Sequence, residues 1–486
     1  MPAISREIIS DNFVGINLPE GDSYDKSQLA DKIDRWKYYL VEKCSAKKGD
    51  RIIIGISAIS VDFVALCFAA FELSLVLVVA ADEPIRSVAD KTIVNPKTTK
   101  LLPIDILIWE SIPEEGDEVL SASRKFNFYK QNCRIYKSLG DFYRTEFPED
   151  LGHAPSIMPD ENDLLMLTTS SGSTGTAKLV EHTHKFFRSL CERNSKEFSG
   201  NIVHCNNMHH GSSLSVFYLP SLISDDITTH YFIPCYENHY DRFARDIKGI
   251  DLNHLSVPYI KFVEGVLDAF VEEDAKFPNM RLSLLTYVPS FCKKFIEEGY
   301  IAEVESIFGS NETAGPVFLS RINSENMSNY DNRLFYKPDS FYDITLDDGE
   351  LSVKLPHYEK TIKTNDLFSY DGDSYRHMGR SDLVRINDVT VDFEFFNNLS
   401  QQYRNDIIIT TDGIENKIYL VVQRDSILHK SMEMPELIRQ LDTKIRVYYS
   451  TDRLQIDKYV VEDFSVFYSG VKIDKELIRE YFKQHV

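Results

Sequence analysis

The sequence predicts an α/β protein. Doubly wound α/β subdomains and a β-hairpin or barrel portion make a large N-terminal domain, and a small α+β unit makes the C-terminal domain. Two patterns predict this. Helix-period and strand-like apolar runs alternate from Lys26 to Arg321, as expected of a mainly parallel sheet covered by helices. From about Tyr342 the pattern changes to alternating segments about Asp348-Gly349, Asp371-Gly372 and Asp412-Gly413, dipeptides that favour hairpin turns. A chain of 486 residues is also too long for one core, so two or three domains are expected.

In chain order, Lys26 to Ala46 carries Leu29, Ile33, Trp36 and Leu40 at helical spacing. Lys48-Gly49-Asp50 makes a turn before the strand Arg51 to Ile56. Phe63 to Ala80 is apolar apart from Glu72 and Ser74, and its length reaches that of a transmembrane helix. Asp62 and Glu72 interrupt the apolar surroundings and no basic flank sets an orientation, so a buried strand–helix–strand unit is predicted, with no membrane span. Glu146 to Asp163, rich in proline and acid, reads as a loop between subdomains. A second α/β region follows from about Leu164 to Arg321. Hairpins are predicted over Ile344–Leu355, Leu367–His377 and Ile407–Gln423, and a helix over Pro435–Ile445.

The balance of 54 Lys+Arg against 75 Asp+Glu gives a net charge of −21. A surface that acidic repels nucleic acid and anionic lipid, so neither is expected as the main partner. The seven cysteines are scattered and never spaced as CxxC, which points to a reducing compartment and away from a disulfide framework or a zinc site. Met1 to Glu7 lacks the basic and apolar regions of a secretory leader, so a cytoplasmic location is expected.

The strongest local signal is Leu164-Leu-Met-Leu-Thr-Thr-Ser-Ser-Gly-Ser-Thr-Gly-Thr-Ala-Lys178. A short buried strand runs into a loop of hydroxyl residues and glycines ahead of a predicted helix. Gly172 and Gly175 let backbone amides turn toward an anion, Ser170, Ser171, Ser173, Thr174 and Thr176 offer hydroxyls, and Lys178 supplies charge. A Walker loop needs Gly-Lys followed by Ser or Thr, and Ala177-Lys178-Leu179 does not fit it. A bare Ser/Gly linker does not suit a loop placed directly behind a strand, so a phosphate loop is expected.

Ser171 to Lys178 resembles the signature of the adenylate-forming (ANL) superfamily of acyl-CoA synthetases, luciferases and peptide-synthetase adenylation domains. Further blocks follow in the family's order. Ile307-Phe-Gly-Ser-Asn-Glu-Thr313 resembles its aromatic-Gly-x-Thr-Glu block, and Thr364-Asn-Asp-Leu367 its Thr-Gly-Asp-Leu block. Gly379-Arg-Ser-Asp382 resembles the Gly-Arg-x-Asp hinge, and Val471-Lys-Ile-Asp-Lys475 the Gly-Lys-Ile-Asp-Arg stretch. Weaker matches are Lys48-Gly-Asp-Arg51, the turns Val257-Pro258 and Val288-Pro289, and Gly349-Glu-Leu351.

The resemblance implies roles. Ser171, Gly172, Ser173, Thr174, Gly175 and Lys178 would hold ATP phosphates, with Thr174 and Lys178 serving catalysis. Phe308 would pack on adenine, Gly309 would belong to the nucleotide site beside it, Asn311 would approach the α-phosphate, and Glu312 would hold Mg2+. Asp366 would take the ribose hydroxyls, Arg380 would touch the nucleotide, and Asp382 would be the hinge. Lys472 would be the catalytic lysine, and His210 would stand beside the acyl pocket. The implied domains are 1–378, which binds AMP, and 379–486, a lid. The implied reaction activates a small carboxylic acid to an acyl-adenylate and then transfers it to CoA or to the phosphopantetheine of an acyl carrier protein.

The chain departs from the family at Ala177 and Leu179 in the loop and at Asn365 and Val471, which replace glycines. Between Arg380 and Arg385 it is one residue shorter, and Asp388 stands about where a glycine lines the pantetheine path. The acidic residue that holds an α-ammonium in amino-acid adenylation is missing from His209 to Ser215, which favours an organic, aryl or fatty acid. A stand-alone amino-acid adenylation enzyme and a catalytically decayed nucleotide- or carrier-binding relative are the alternatives. Adjacent His209 and His210 point to opposite faces of a strand and do not form a metal pair. His184, in Thr183-His184, is read as structural at a helix start. Neither a Gly-x-Ser-x-Gly elbow nor a Gly-x-Gly-x-x-Gly fingerprint after the first strand occurs, which sets hydrolase and dehydrogenase readings aside.

Overall fold

In a computed structural model the described residues are 3–485 except 20, 57–58, 80–103, 110–132, 150, 152–158, 171–177, 206–212, 236–238, 258–259, 286, 338, 360, 381–384, 387–388, 392–395, 397–398, 401, 404–405, 413–416, 450, 452, 470–471 and 474. They divide into two compact units, Met1–Asp343 with Val353–Ile362, and Ile344–Ser352 with Lys363–Val486.

The first unit opens with β1 (Gly15–Asn17), β2 (Ser23–Tyr24) and α1 (Lys26–Glu42). Asp25 caps α1 reciprocally: its carboxylate accepts from the Gln28 amide at 2.8 Å, and the Gln28 side chain accepts from the Asp25 amide at 2.9 Å. Leu29, Ile33, Trp36 and Leu40 form its buried face, as their spacing predicts. Gly49 turns the chain at φ +82° into β3 (Arg51–Gly55), followed by α2 (Val61–Glu72) and β4 (Val76–Val79).

The membrane-length apolar run is therefore a short helix and a strand. Val61 to Phe71 are all buried, because a helix apolar on every side belongs in a core. Its two acids are paired. Asp62 accepts from Trp36 Nε1 at 3.2 Å and from Tyr143 OH, with Lys32 Nζ at 3.1 Å. Glu72 accepts two bonds of 2.8 Å from Arg6 and one of 2.9 Å from Lys37. Among the described residues no helix is long and apolar enough to cross a membrane, and the seven cysteines form no disulfide.

Two large sheets are formed by the described residues of this unit. One has the order β6-β5-β3-β4-β7-β8, with β5 (Ile104–Trp109), β6 (Cys133–Ser138), β7 (Leu164–Ser170) and β8 (Lys178–Thr183). It is parallel except for the antiparallel pair β7/β8. Helices α3 (Leu139–Tyr143) and α4 (His184–Asn194) belong to the same stretch of chain. The other sheet has the order β14-β13-β12-β11-β9-β10-β1-β2, from β9 (Gly200–His204), β10 (Ile227–Phe232), β11 (His254–Ser256), β12 (Phe277–Leu284), β13 (Ile301–Phe308) and β14 (Phe318–Asn323). Its crossovers carry α5 (Leu219–Ile223), α6 (Tyr240–Ile247), α7 (Ile260–Glu272) and α8 (Cys292–Glu297).

Sheet membership differs from the sequence-based division at Leu164. β7 pairs with β4 and so closes the first sheet, while N-terminal β1 pairs with β10 in the second. Leu77 pairs with Met166 and Gly15 with Thr229, and pairing between such distant segments is decided by tertiary packing, which local pattern does not encode.

After β15 (Leu334–Phe335) comes a meander of β16 (Asp343–Asp347), β17 (Glu350–Lys354), β18 (Thr361–Tyr370) and β19 (Tyr375–Arg380), and the unit boundary runs through its first three strands. Asp348 and Gly349 take φ +49° and +83° at the β16/β17 turn, as an Asp-Gly hairpin requires. The second unit continues with β20 (Arg385–Ile386), β21 (Val389–Thr390), β22 (Ile407–Asp412) and β23 (Lys417–Gln423). Helices α9 (Ile427–Ser431) and α10 (Met434–Tyr449) and strands β24 (Lys458–Glu462), β25 (Tyr468–Ser469) and β26 (Lys472–Ile473) lead to α11 (Lys475–His485). β22-β23-β24 form one sheet whose apolar faces hold two cores, around Ile409, Leu420 and Leu441 and around Tyr419, Ile478 and Phe482.

Candidate active site

The hydroxyl–glycine loop joins β7 to β8, whose pairing sets Ser170 opposite Lys178. Ser171, Gly172, Ser173, Thr174 and Gly175 lie outside the described residues, between these two facing strand ends. The loop leads into a strand, where the sequence reading expected a helix. β8 runs six residues before α4 begins, because Leu179 to Thr183 add an antiparallel edge to β7. Thr183 then caps α4, its Oγ1 accepting from the Phe186 amide at 3.4 Å. His184 is buried, its Nδ1 accepting from the Ile4 amide at 3.1 Å, which makes it structural as read.

The aromatic-Gly block forms a tight turn between β13 and β14. Phe308 ends β13, its ring 6.0 Å from those of Phe318 and Phe335, and its carbonyl accepts from the Val317 amide at 2.8 Å. A Cβ on Gly309 would lie 2.3 Å from the Gly315 carbonyl oxygen, so the turn closes only around glycine. Ser310 accepts from the amides of Thr313 (3.2 Å) and Ala314 (2.9 Å), and Thr313 Oγ1 accepts from the Ser310 amide at 2.9 Å. Ala314 is left-handed, at φ +55°.

Side chains from outside grip this turn by its carbonyls. His182 Nε2 is 3.1 Å from the Asn311 oxygen, Tyr342 OH donates to Thr313 at 2.9 Å, and Arg193 Nη1 donates to Pro316 at 2.7 Å. Ser215 Oγ donates to the Ala314 oxygen. Ser215 belongs to a buried π-helical stretch, Ser213–Tyr218, and its carbonyl accepts from Asn194 Nδ2 at 2.9 Å. A carbonyl only accepts, so His182 Nε2 carries the hydrogen. Burial lowers the imidazole pKa to about 4, the bond to Asn311 opposing only in part, so His182 is neutral at pH 7.

Asn311 and Glu312 remain partly exposed. Glu312 makes no hydrogen bond or ion pair among the described residues, so its carboxylate is available for a hard cation, the ligand type that magnesium prefers.

In the second unit, Thr364 Oγ1 accepts from the Asp366 amide at 3.1 Å and donates to the Leu351 carbonyl at 3.1 Å. Asn365 takes φ +61°, the left-handed conformation that explains a glycine at the equivalent family position. The β18/β19 register sets Asp366 opposite Arg380, with Met378 bulged out. His377 is buried, its Nε2 3.4 Å from Asp366 Oδ1. Lys472 begins β26, opposite Ser469. His210, Asp382 and Asp388 lie outside the described residues, as do the side chains of Lys178, Arg380 and Lys472.

His182, Ser215, Tyr342 and His377 escaped the sequence reading as site residues. Only His182 carried a signal, a histidine two residues before His184, a spacing that would set the two on one face of a strand. The strand ends between them, so the pair does not form.

The family model described as AMP-binding enzyme matches residues 13–333. Compared by sequence with curated proteins, the chain has no match. Among solved structures it is similar to the fatty acyl-adenylate ligases from E. coli and L. pneumophila, with TM-score 0.74, 15% identity and coverage of 100% of this chain and 98% of that one. It is similar to McyG A-PCP complexed with phenylalanyl-adenylate, with TM-score 0.73, 14% identity and coverage of 100% and 96%. The anthranilate CoA ligase AuaEII in complex with anthranoyl-AMP gives TM-score 0.70, 13% identity and coverage of 99% and 97%. Identities this low carry the fold, and the family match carries the membership: the chain belongs to the AMP-binding enzyme family of adenylate-forming enzymes.

Proposed function

We propose that this protein uses ATP to activate a small, non-amino carboxylic acid as its acyl-adenylate and passes the acyl group to a thiol of CoA or carrier-protein phosphopantetheine. The observation that carries the proposal is the turn at Phe308–Gly315, which is held by its carbonyls and leaves the Glu312 carboxylate unpaired among the described residues.

In the first half-reaction a carboxylate oxygen attacks the α-phosphorus, and the bond to the bridging oxygen breaks. Pyrophosphate leaves with that electron pair. Such a step needs positioning and charge neutralisation more than covalent help. Lys178 and the hydroxyls of Ser171, Ser173 and Thr174 hold phosphate oxygens, Phe308 packs on adenine, and Asp366, across from Arg380, takes the ribose hydroxyls. Glu312 would hold Mg2+, which supplies counter-charge to the triphosphate. Lys472 stabilises the charge that develops between the carboxylate and the α-phosphate. In the second half-reaction a thiolate attacks the acyl carbon and AMP leaves. Gly379–Asp382 is the hinge that lets residues 379–486 act as a lid, and His210 lines the acyl pocket.

The absence of an acid from His209 to Ser215 supports a non-amino acid substrate. The seven scattered cysteines, never spaced as CxxC, support a cytoplasmic setting. The test is carboxylate-dependent ATP–pyrophosphate exchange over a panel of fatty, aryl and amino acids. Exchange is expected with at least one acid, and Lys472→Ala should lower its rate about 10²-fold. Asp366→Asn should instead raise the KM for ATP, because a ribose contact serves ground and transition states alike. Bound MgATP without exchange from any acid would favour a nucleotide-binding relative without adenylation activity.

A further inference from the structure

Adenylate chemistry needs Asn311 and Glu312 held in place, and the bonds within their turn run between Phe308, Ser310, Thr313, Ala314, Gly315 and Val317. The turn's carbonyls are engaged from three separate parts of the first unit: β8, the π-helical stretch, and the segment after β15. We propose that His182, Ser215 and Tyr342 are positioning residues for adenylation, holding the carbonyls of Asn311, Ala314 and Thr313 toward the core so that Asn311 and Glu312 face MgATP. The inference rests on the functional reading above.

Three observations support it. All three side chains are buried, at 0%, 0% and 1% exposure, so each bond is dry and expensive to lose. Each donor comes from far along the chain, 129, 99 and 29 residues from its acceptor, so the turn's shape depends on the assembled unit. The Ser215 donor is itself fixed, because Asn194 Nδ2 donates to the Ser215 carbonyl.

Apolar replacement separates positioning from space-filling. His182 is stacked on Phe186, with ring centroids 5.7 Å apart, and a filler at that place would tolerate leucine better than glutamine. A donor to Asn311 would show the opposite order, because the glutamine amide reaches the Nε2 position and leucine offers nothing.

The experiment measures binding of ATP by calorimetry, with magnesium and with EDTA, to the full chain and to Tyr342→Phe, Ser215→Ala, His182→Leu, His182→Gln and Glu312→Gln. Thermal unfolding without ligand establishes that each variant folds. Tyr342→Phe, Ser215→Ala and His182→Leu should each weaken MgATP binding about fivefold, the effect of one lost buried hydrogen bond, with little change in EDTA. His182→Gln should recover most of the affinity lost in His182→Leu. Unchanged MgATP affinity in Tyr342→Phe, or His182→Leu matching His182→Gln, overturns the proposal. If Glu312→Gln abolishes the magnesium dependence in that case, the functional reading stands and only the positioning role falls. If Glu312→Gln has no effect either, both fall together. Should Ser215→Ala fail to fold, Tyr342→Phe and the His182 pair decide the outcome.

Discussion

Asn365 shows what one residue can reveal about a site. Its φ of +61° is tolerated by Asn and preferred by Gly, while a β-branched side chain there meets the backbone. Asn365→Gly should therefore leave stability within about 0.5 kcal/mol, whereas Asn365→Val should cost about 1–2 kcal/mol. Urea midpoints of the second unit measure both, and equal midpoints for the two variants would refute the strain argument. Gly309 makes the complementary case. Its requirement is space, since the clash is with a backbone oxygen at 2.3 Å. Gly309→Ala should open the turn, cost about 1–3 kcal/mol, and weaken MgATP binding more than any of the hydroxyl deletions. Wild-type affinity in Gly309→Ala would mean that the turn is not part of the nucleotide site. Both positions were legible as motif positions through the resemblance. The reason each motif wants glycine there became visible only in the backbone.

Among elements, those with local signals were legible. The Asp25–Gln28 capping box and the three-and-four spacing specify α1 without outside help, and the Asp-Gly dipeptides specify the hairpins. Asp25→Ala should cost about 1 kcal/mol, read as a lower thermal midpoint of the first unit, and an unchanged midpoint would show that tertiary packing alone holds the helix start. What pattern did not supply was neighbourhood. β7 and β8 read as the beginning of a second region because Glu146 to Asp163 looks like a linker, yet β7 pairs with β4 and packs in its core, and β8 pairs with β7. The strand after the hydroxyl–glycine loop was masked by its composition, because Glu181 and His182 interrupt the apolar run. His182 is polar for a reason found elsewhere in the chain, at Asn311. Buried polar residues whose partners are distant look like noise in a sequence, and they are where sequence-level reasoning is expected to fail at functional sites.

At the scale of the whole molecule, the titration of buried groups separates the two units. His182, His184, His204, His230 and His254 all lie in the first unit and are nearly inaccessible, at 0%, 0%, 6%, 1% and 6%. Burial is the main cause in each and lowers the pKa to about 4 for His182 and His184, to about 3 for His230 and His254, and well below its usual value for His204. These imidazoles stay neutral in the fold, while the unfolded chain takes up protons below about pH 6.5. The unfolded state then binds more protons, so stability falls as the pH falls, starting near 6.5 and continuing toward 4 and 3. Each histidine contributes a loss of about 1.4 kcal/mol per pH unit within that window. Glu72 acts elsewhere. Burial raises its pKa, but the hydrogen bonds and charge of Arg6, with Lys37, outweigh that and hold it at about 2, so its stabilisation is lost only between about pH 4.5 and 2. At pH 5.5 the histidines therefore decide. Trp36 and Trp109, the two tryptophans, both lie in the first unit, so tryptophan fluorescence reports that unit alone. Its urea midpoint should drop by about 1 M or more between pH 7.5 and 5.5. A flat midpoint over that range would mean that the imidazoles gain protons in the folded state as well, and the neutral state assigned to His182 would be wrong, while its Nε2 would donate in either state.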